Sequence, residues 1–301
     1  MSTTPQPLCR IGPLLLLFWM SGQPFGSLVE AGNWPQFRGP TGQGHADDQP
    51  VATRWSESEN VVWKQAIEGR GHATPVVWND QVWVATASAD GKLLGALGLS
   101  RATGEILHTV TIFKPEQIDG IHADNTYASP TPVAVDGRLY CDFGTYGVAC
   151  VDMATGNVLW RNESLKLQHG GGPGSSPVVF RDTLIVHRDG ADQQYVAALN
   201  LSNGSVRWKR ERSAPFRETE HTRRAFATPL LYEHDGRTLL ISLAADQCHA
   251  YDAATGEELW HVRYVGFSNV PCPVASGDFV YICTGYFSPE LLAIRLGGKG
   301  D

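Results

Sequence analysis

The stretch Ala250-Tyr251-Asp252-Ala253-Ala254-Thr255-Gly256-Glu257-Glu258-Leu259-Trp260 decides the fold, because it recurs. Cys150–Trp160 reads Cys-Val-Asp-Met-Ala-Thr-Gly-Asn-Val-Leu-Trp, and Ala198–Trp208 reads Ala-Leu-Asn-Leu-Ser-Asn-Gly-Ser-Val-Arg-Trp. A worn copy at Gly98–His108 keeps Ala102-Thr103-Gly104 and has His where the others have Trp. Gly104, Gly156, Gly204 and Gly256 are 52, 48 and 52 residues apart. A fixed period of that length marks stacked repeats.

Each repeat follows one plan. A loop ends in a small residue and a proline, as at Thr74-Pro75, Thr131-Pro132, Ser176-Pro177, Thr228-Pro229 and Cys272-Pro273. A short apolar strand follows, then a tight turn (Asn79-Asp80, Asp136-Gly137, Arg181-Asp182, Gly277-Asp278), with a longer turn expected at Glu233–Arg237. Second strands are expected at 82–85, 139–142, 184–187, 239–243 and 279–283. The third strand leads into the Asp-x-x-Thr-Gly turn and the fourth carries the Trp. The Asp side chain can cap the turn's own amides, so Asp152 and Asp252 read as structural. Gly104, Gly156, Gly204 and Gly256, with Trp63, Trp160, Trp208 and Trp260, are the expected docking residues.

The strands are near-continuous apolar runs, so both faces of each sheet must be covered. Radially stacked four-stranded blades achieve that, and the expected fold is an all-β propeller of antiparallel blades. About four and a half repeats are present, the last being Pro273–Asp301, which makes the ring partial. Val61-Val62-Trp63-Lys64 reads as the closing strand of a repeat whose earlier strands are missing.

Three segments divide the chain. In residues 1–31, Arg10 precedes the apolar run 11–20, and Val29-Glu30-Ala31 offers small residues before a cut: a secretory signal pattern. Residues 32–60 hold Trp34-Pro35-Gln36-Phe37-Arg38-Gly39-Pro40 and read as an extended arm with Trp34 and Phe37 turned onto the main body. Residues 61–301 are the repeats. Periplasmic or secreted localisation follows, with no integral membrane segment after cleavage. A net charge of −7 argues against nucleic-acid binding. Cys141 and Cys150, and likewise Cys272 and Cys283, lie symmetrically about turns, as disulfides or as buried free thiols. There is no Cys-x-x-Cys, and no metal site is predicted.

The pattern Ala-x-Asp-x-x-Thr-Gly-x-x-x-Trp resembles the tryptophan-docking repeat of quinoprotein dehydrogenases. The whole of 33–301 is similar to pyrroloquinoline-quinone-like (PQQ-like) propeller repeat proteins of bacteria, and the opening at 34–40 to an exported branch of them. That resemblance implies a ring of seven or eight blades, of which this chain would be a fragment or truncated product. It also implies PQQ with calcium as cofactor in the enzymes of the family. Their adjacent-cysteine disulfide, calcium set and Asp base have no counterpart that can be placed on this sequence.

In a propeller the loops before each first strand gather at one end of the channel. Here they carry His72, His122, Asp124, Asn125, His169, His221, Arg223, Arg224 and Asn269, the candidate ligand-binding residues. Two functions are expected from different classes. One is an exported binding or scaffold module that takes a protein or glycan partner on these loops. The other is a PQQ-dependent alcohol- or sugar-type dehydrogenase, or a degenerate relative. No catalytic residue can be assigned.

Overall fold

The computed structural model describes Met1, residues 32–46 and residues 52–299; the signal pattern at 1–31 lies outside them apart from Met1. Five antiparallel sheets follow one another in chain order as blades of a partial β-propeller, without closing a ring. Blade 1 is β1 (Val76–Trp78), β2 (Gln81–Ala87), β3 (Leu94–Ser100) and β4 (Ile106–Phe113). Blade 2 is β5 (Val133–Val135), β6 (Arg138–Asp142), β7 (Val148–Asp152) and β8 (Val158–Asn162). Blade 3 is β9 (Val178–Phe180), β10 (Thr183–Asp189), β11 (Gln194–Asn200) and β12 (Val206–Glu211). Blade 4 is β13 (Leu230–His234), β14 (Arg237–Ala244), β15 (Gln247–Asp252) and β16 (Glu258–Arg263). Blade 5 has three strands, β17 (Val274–Ser276), β18 (Phe279–Cys283) and β19 (Leu291–Arg295). The expected longer turn in blade 4 is instead the two residues Asp235-Gly236, both at positive φ (49° and 74°), because β13 and β14 extend to the pair His234↔Arg237.

Successive strand residues point to opposite faces, and each face meets a different blade. Leu139 and Cys141 enter the core between blades 1 and 2, whereas Tyr140 and Cys150 enter the core between blades 2 and 3. Leu184 and Val186 face blade 2, and Ile185 faces blade 4. The apolar runs are therefore two alternating stripes, each covered. The same alternation separates Cys141 from Cys150: the ladder pairs Cys141 with Ala149 and Cys150 with Tyr140. All five described cysteines are free thiols.

The recurring stretch acts between blades. Trp63, Trp160 and Trp208 lie across Gly104, Gly204 and Gly256, with ring atoms 2.5, 2.4 and 2.7 Å from where a Cβ would stand. Those glycines have φ of +75°, +71° and +70°, so both the backbone and the overlying ring exclude a side chain. Trp63 Nε1 donates to Arg101 O and Trp160 Nε1 to Leu201 O, in each case three residues before the covered glycine. His108 covers Gly156. Burying a Trp removes roughly 150–250 Å² from water, about 4–6 kcal/mol as an upper bound. Within each blade a bulge sets Gly98 opposite His108, Cys150 opposite Trp160, Ala198 opposite Trp208 and Ala250 opposite Trp260. A small residue at the head of the repeat thus makes room for the ring. Asp152 Oδ1 accepts from Thr155 N and Oγ1, and Asp252 Oδ1 accepts from Ala254 N and from Thr255 N and Oγ1. Both Asp side chains cap their turns. Val61–Lys64 forms no strand, because no described strand lies beside it to pair with; Trp63 is held by its ring alone.

Two features order the blades around the axis. Thr74 N donates to Thr131 Oγ1, Thr131 N to Ser176 Oγ, and Ser176 N to Thr228 Oγ1, each at 2.9 Å. Thr131, Ser176 and Thr228, each directly before a proline, are therefore acceptors for the blade before them. The arm then crosses the innermost strands: Trp34 bridges Val77, Pro35 O accepts from Ala134 N, and Gln43 Oε1 accepts from Ala275 N. Trp34 and Phe37 are half-buried there. Among the described residues, no helix is long and apolar enough to cross a membrane.

Candidate functional site

The loops that enter the first strands form a continuous arc, each hydrogen-bonded to the next. His72 N donates to Ala128 O, and His122 N to Gly171 O. Asn125 Nδ2 donates to Gly171 O and Pro173 O. Arg224 donates from Nη1 to Gly170 O and from Nε to His221 O. Ser268 N donates to Arg224 O, and Phe226 N to Asn269 O.

The nine candidate residues occupy this arc without converging on one cavity. His72, His122, Asp124 and His221 are exposed. Asp124 N donates to His122 Nδ1 at 3.2 Å, a local turn. Arg223 donates to Arg217 O and Glu218 O. Asn269 is fully buried, its Nδ2 donating to Tyr264 OH, with its Oδ1 lacking a partner. His169 turns inward: its Nε2 accepts from Thr145 N at 2.9 Å, and it packs where a Cβ on Gly144 would stand. Burial, and then the charge of Arg188, push its pKa down to about 3, so it is neutral at physiological pH.

Beneath the arc lie two buried ion pairs that sequence reasoning missed. Arg188 of β10 binds Asp142 of β6 through Nη1 and Nη2 at 2.8 and 2.9 Å, linking blades 2 and 3. Arg212 binds Asp189 through Nε and Nη2 at 3.0 and 2.6 Å, and its Nη1 reaches Ser242 Oγ of blade 4. Burial disfavours the Arg212 cation, but Asp189 and Tyr251 together outweigh it and raise its pKa. Ser242 Oγ also meets His187 Nε2 at 2.9 Å. The signal was present in the sequence: His187-Arg188-Asp189 places three ionisable residues in a row at the end of an otherwise apolar strand. The cavity beside these groups measures about 20 Å³, the room of a single water.

These residues do not fit PQQ with calcium. Asp142 and Asp189 are each closed by a bidentate arginine, and Arg223 and Arg224 are engaged by backbone carbonyls. The described thiols are all unpaired, so no adjacent-cysteine disulfide is formed among them. A cavity of about 890 Å³ runs along Thr111–Gln117, Arg161 and Lys166, and none of the nine candidates lines it.

The arc ends in an apolar, aromatic surface. Tyr286 and Phe287 are 73% and 71% exposed, and Val265 and Val270, which flank Gly266–Asn269 in sequence, are also exposed. Phe267 packs on Phe287 at 5.1 Å between ring centres, His221 meets Phe267 edge-on at 6.2 Å, and the Arg217 guanidinium sits 5.2 Å over the Phe267 ring.

No curated protein sequence matches the chain. Among solved structures it is similar to a europium-containing methanol dehydrogenase, at 12% identity and TM-score 0.59, covering 88% of this chain and 58% of that one. It is also similar to quinohemoprotein alcohol dehydrogenase from Comamonas testosteroni, at 13% identity and TM-score 0.56, covering 90% of this chain and 49% of that one. BamB from Moraxella catarrhalis matches at 19% identity and TM-score 0.45, covering 73% of this chain and 60% of that one. The chain thus spans about half to three-fifths of the length of these structures, and at such identities the likeness is one of fold. A family model described as outer membrane protein assembly factor BamB matches residues 57–297, most of the repeat region, and the chain belongs to that family of PQQ-like repeat propellers.

Proposed function

We propose that the protein is an exported scaffold that binds a protein partner on the loop arc, chiefly through the surface formed by Phe267, Tyr286 and Phe287. The observation that supports this most is that aromatic surface. Large exposed apolar patches are uncommon on proteins that work alone, and aromatic residues with a neighbouring Arg supply most of the energy in protein interfaces. The chemistry beneath points the same way. The buried charged groups beneath the arc are neutralised in pairs, Arg188 with Asp142 and Arg212 with Asp189, which suits a rigid support.

Export is proposed from the signal pattern at 1–31, and the family name adds a protein-assembly context. The test is site-specific photocrosslinking from position 287 in cells, with identification of the product by mass spectrometry. One dominant protein adduct, lost with Phe267→Ala, is the expected result. A glycan adduct, or saturable PQQ and calcium binding with dye-linked alcohol oxidation by the purified protein, would overturn the reading.

A further inference from the structure

The outer strands of blade 4 carry a polar cluster that the repeat does not require. His249 of β15 stands directly opposite His261 of β16. Glu258 is three residues before His261, a spacing that places side chains on opposite faces of a regular strand. The bulge between Ala250 and Tyr251 changes that by pairing Tyr251 with Glu258, so Glu258 and both histidines share one face. His249 Nδ1 lies 3.2 Å from Glu258 Oε2, and His261 Nδ1 lies 2.8 Å from Glu258 Oε1. The three ligand atoms are all within 4.8 Å of one another.

The hydrogen bonds fix which atom of His249 faces the carboxylate. Gln247 Nε2 donates to Ala214 O at 3.3 Å, which turns Gln247 Oε1 toward His249. That oxygen can only accept, so His249 Nε2, at 2.6 Å, carries the proton. The neutral ring then presents a bare lone pair at Nδ1. This atom is fully buried and has no hydrogen-bond partner among the described residues. It faces a carboxylate oxygen 3.2 Å away, a contact that either a proton on Nδ1 or a cation beside both atoms would satisfy. A histidine whose other nitrogen donates to a fixed oxygen is the usual arrangement of a metal ligand. Two ligands on a tetrahedral ion with bonds of roughly 2.0–2.1 Å stand about 3.3 Å apart. His249 Nδ1 and Glu258 Oε2 are at 3.2 Å, whereas His261 Nδ1 and Glu258 Oε1, at 2.8 Å, are hydrogen-bonded and would move apart to hold an ion.

We infer that His249, Glu258 and His261 bind a divalent transition-metal ion of the zinc type, which ties β15 to β16. Two imidazoles and one carboxylate suit zinc and its neighbours rather than calcium or magnesium, which take oxygen ligands. Ser213 Oγ donates to Glu258 Oε1 at 2.7 Å and orients the carboxylate, as Gln247 orients His249. Arg212 is paired with Asp189, and Arg263, opposite Gln247, is a second arginine on this face. Glu258 and His261 are part-exposed, which gives an ion access from solvent. The equivalent positions in the other blades are Leu97, Ile106 and Thr109; Ala149, Val158 and Arg161; and Ala197, Val206 and Lys209. Among blades 1 to 4 the ligand set belongs to blade 4, in repeats that otherwise share its backbone.

The experiment is titration of the untagged full chain with Zn²⁺ by calorimetry, with Ca²⁺ as the contrasting ion, followed by the Co²⁺ absorption spectrum. One Zn²⁺ per chain is expected, weakened about tenfold or more by Glu258→Gln and by His261→Ala. Co²⁺ should give ligand-field bands without thiolate charge transfer. Unchanged affinity in either folded variant, thiolate bands that place the ion on cysteines, or no saturable Zn²⁺ binding would overturn the assignment. The Co²⁺ spectrum of the unaltered chain decides even if a variant fails to fold.

Discussion

Blade 2 and blade 4 share a frame and differ in what it carries. In each a small residue faces a Trp, Cys150 opposite Trp160 and Ala250 opposite Trp260, and in each an Asp caps the turn between them. The same bulge follows. Beside that frame blade 2 has Ala149, Val158 and Arg161, and blade 4 has His249, Glu258 and His261. Arg161 reaches across to donate to Ile112 O, so blade 2 uses the position to bind its neighbour. Repetition therefore preserves the residues that set backbone shape and ring docking. It leaves the adjoining positions free to become either a contact between blades or a site.

The largest effect should come from the contacts that the frame does not supply. Arg188→Met strands Asp142 without its partner in the core between blades 2 and 3, and should cost about 3–5 kcal/mol in urea unfolding. Adding Asp142→Leu should recover part of that loss, because the pair's desolvation is then removed while Gly144 N loses its acceptor. A double variant no more stable than the single would show that the pair is required as such.

Next comes the frame itself. Gly204 and Gly137 both have φ of +71°, but only Gly204 lies under a Trp ring; a Cβ on Gly137 would meet nothing within 4 Å. Gly204→Ala should cost about 2–5 kcal/mol, from backbone strain plus overpacking, and Gly137→Ala about 1–2 kcal/mol from strain alone. Equal losses would show that the ring over Gly204 yields without cost.

A smaller effect follows from His169. Its folded pKa of about 3 is far below the value of roughly 6.5 in the unfolded chain, so the unfolded state binds a proton that the folded state does not. Stability must then fall as pH drops below about 6.5, by up to about 1.4 kcal/mol per pH unit from this residue. Between pH 7 and pH 5 that amounts to about 2 kcal/mol. His169→Gln should flatten the slope over that range, and a slope unchanged by the substitution would mean that His169 is protonated in the folded protein.

The blade pattern was legible because its constraints are local. A glycine at positive φ, an Asp capping its own turn and a Trp ten positions after a small residue repeat at a fixed period, and any one copy interprets the others. The residue before each proline was visible as small, but the function of Thr131, Ser176 and Thr228 as acceptors for the previous blade depends on how neighbouring blades stack. The buried pairs were hidden for a similar reason: Asp142 and Arg188 are 46 residues apart and meet only once blades 2 and 3 pack. His249, Glu258 and His261 looked like unrelated residues around the opening motif, because the bulge that aligns them is a property of the paired strands. The loop residues chosen by position alone do lie on one arc, but most are spent on backbone carbonyls or solvent.

Exposed apolar residues allow one last contrast, in which stability should scarcely move. Leu159 in blade 2 is exposed on an outer strand, whereas Phe287 stands in a cluster with Phe267 and Tyr286. Neither is part of a blade core, so Leu159→Ala and Phe287→Ala should each change unfolding free energy by about 0.5 kcal/mol or less. Their effects on partner binding should diverge. A scattered apolar residue contributes little to recognition, but truncating a central aromatic of an interface commonly costs about 2 kcal/mol, more than tenfold in affinity. Measured against the crosslinked partner, Phe287→Ala should therefore lose affinity while Leu159→Ala does not. Equal, small losses would mean that the aromatic surface is not where the partner binds, even if the rest of the arc is.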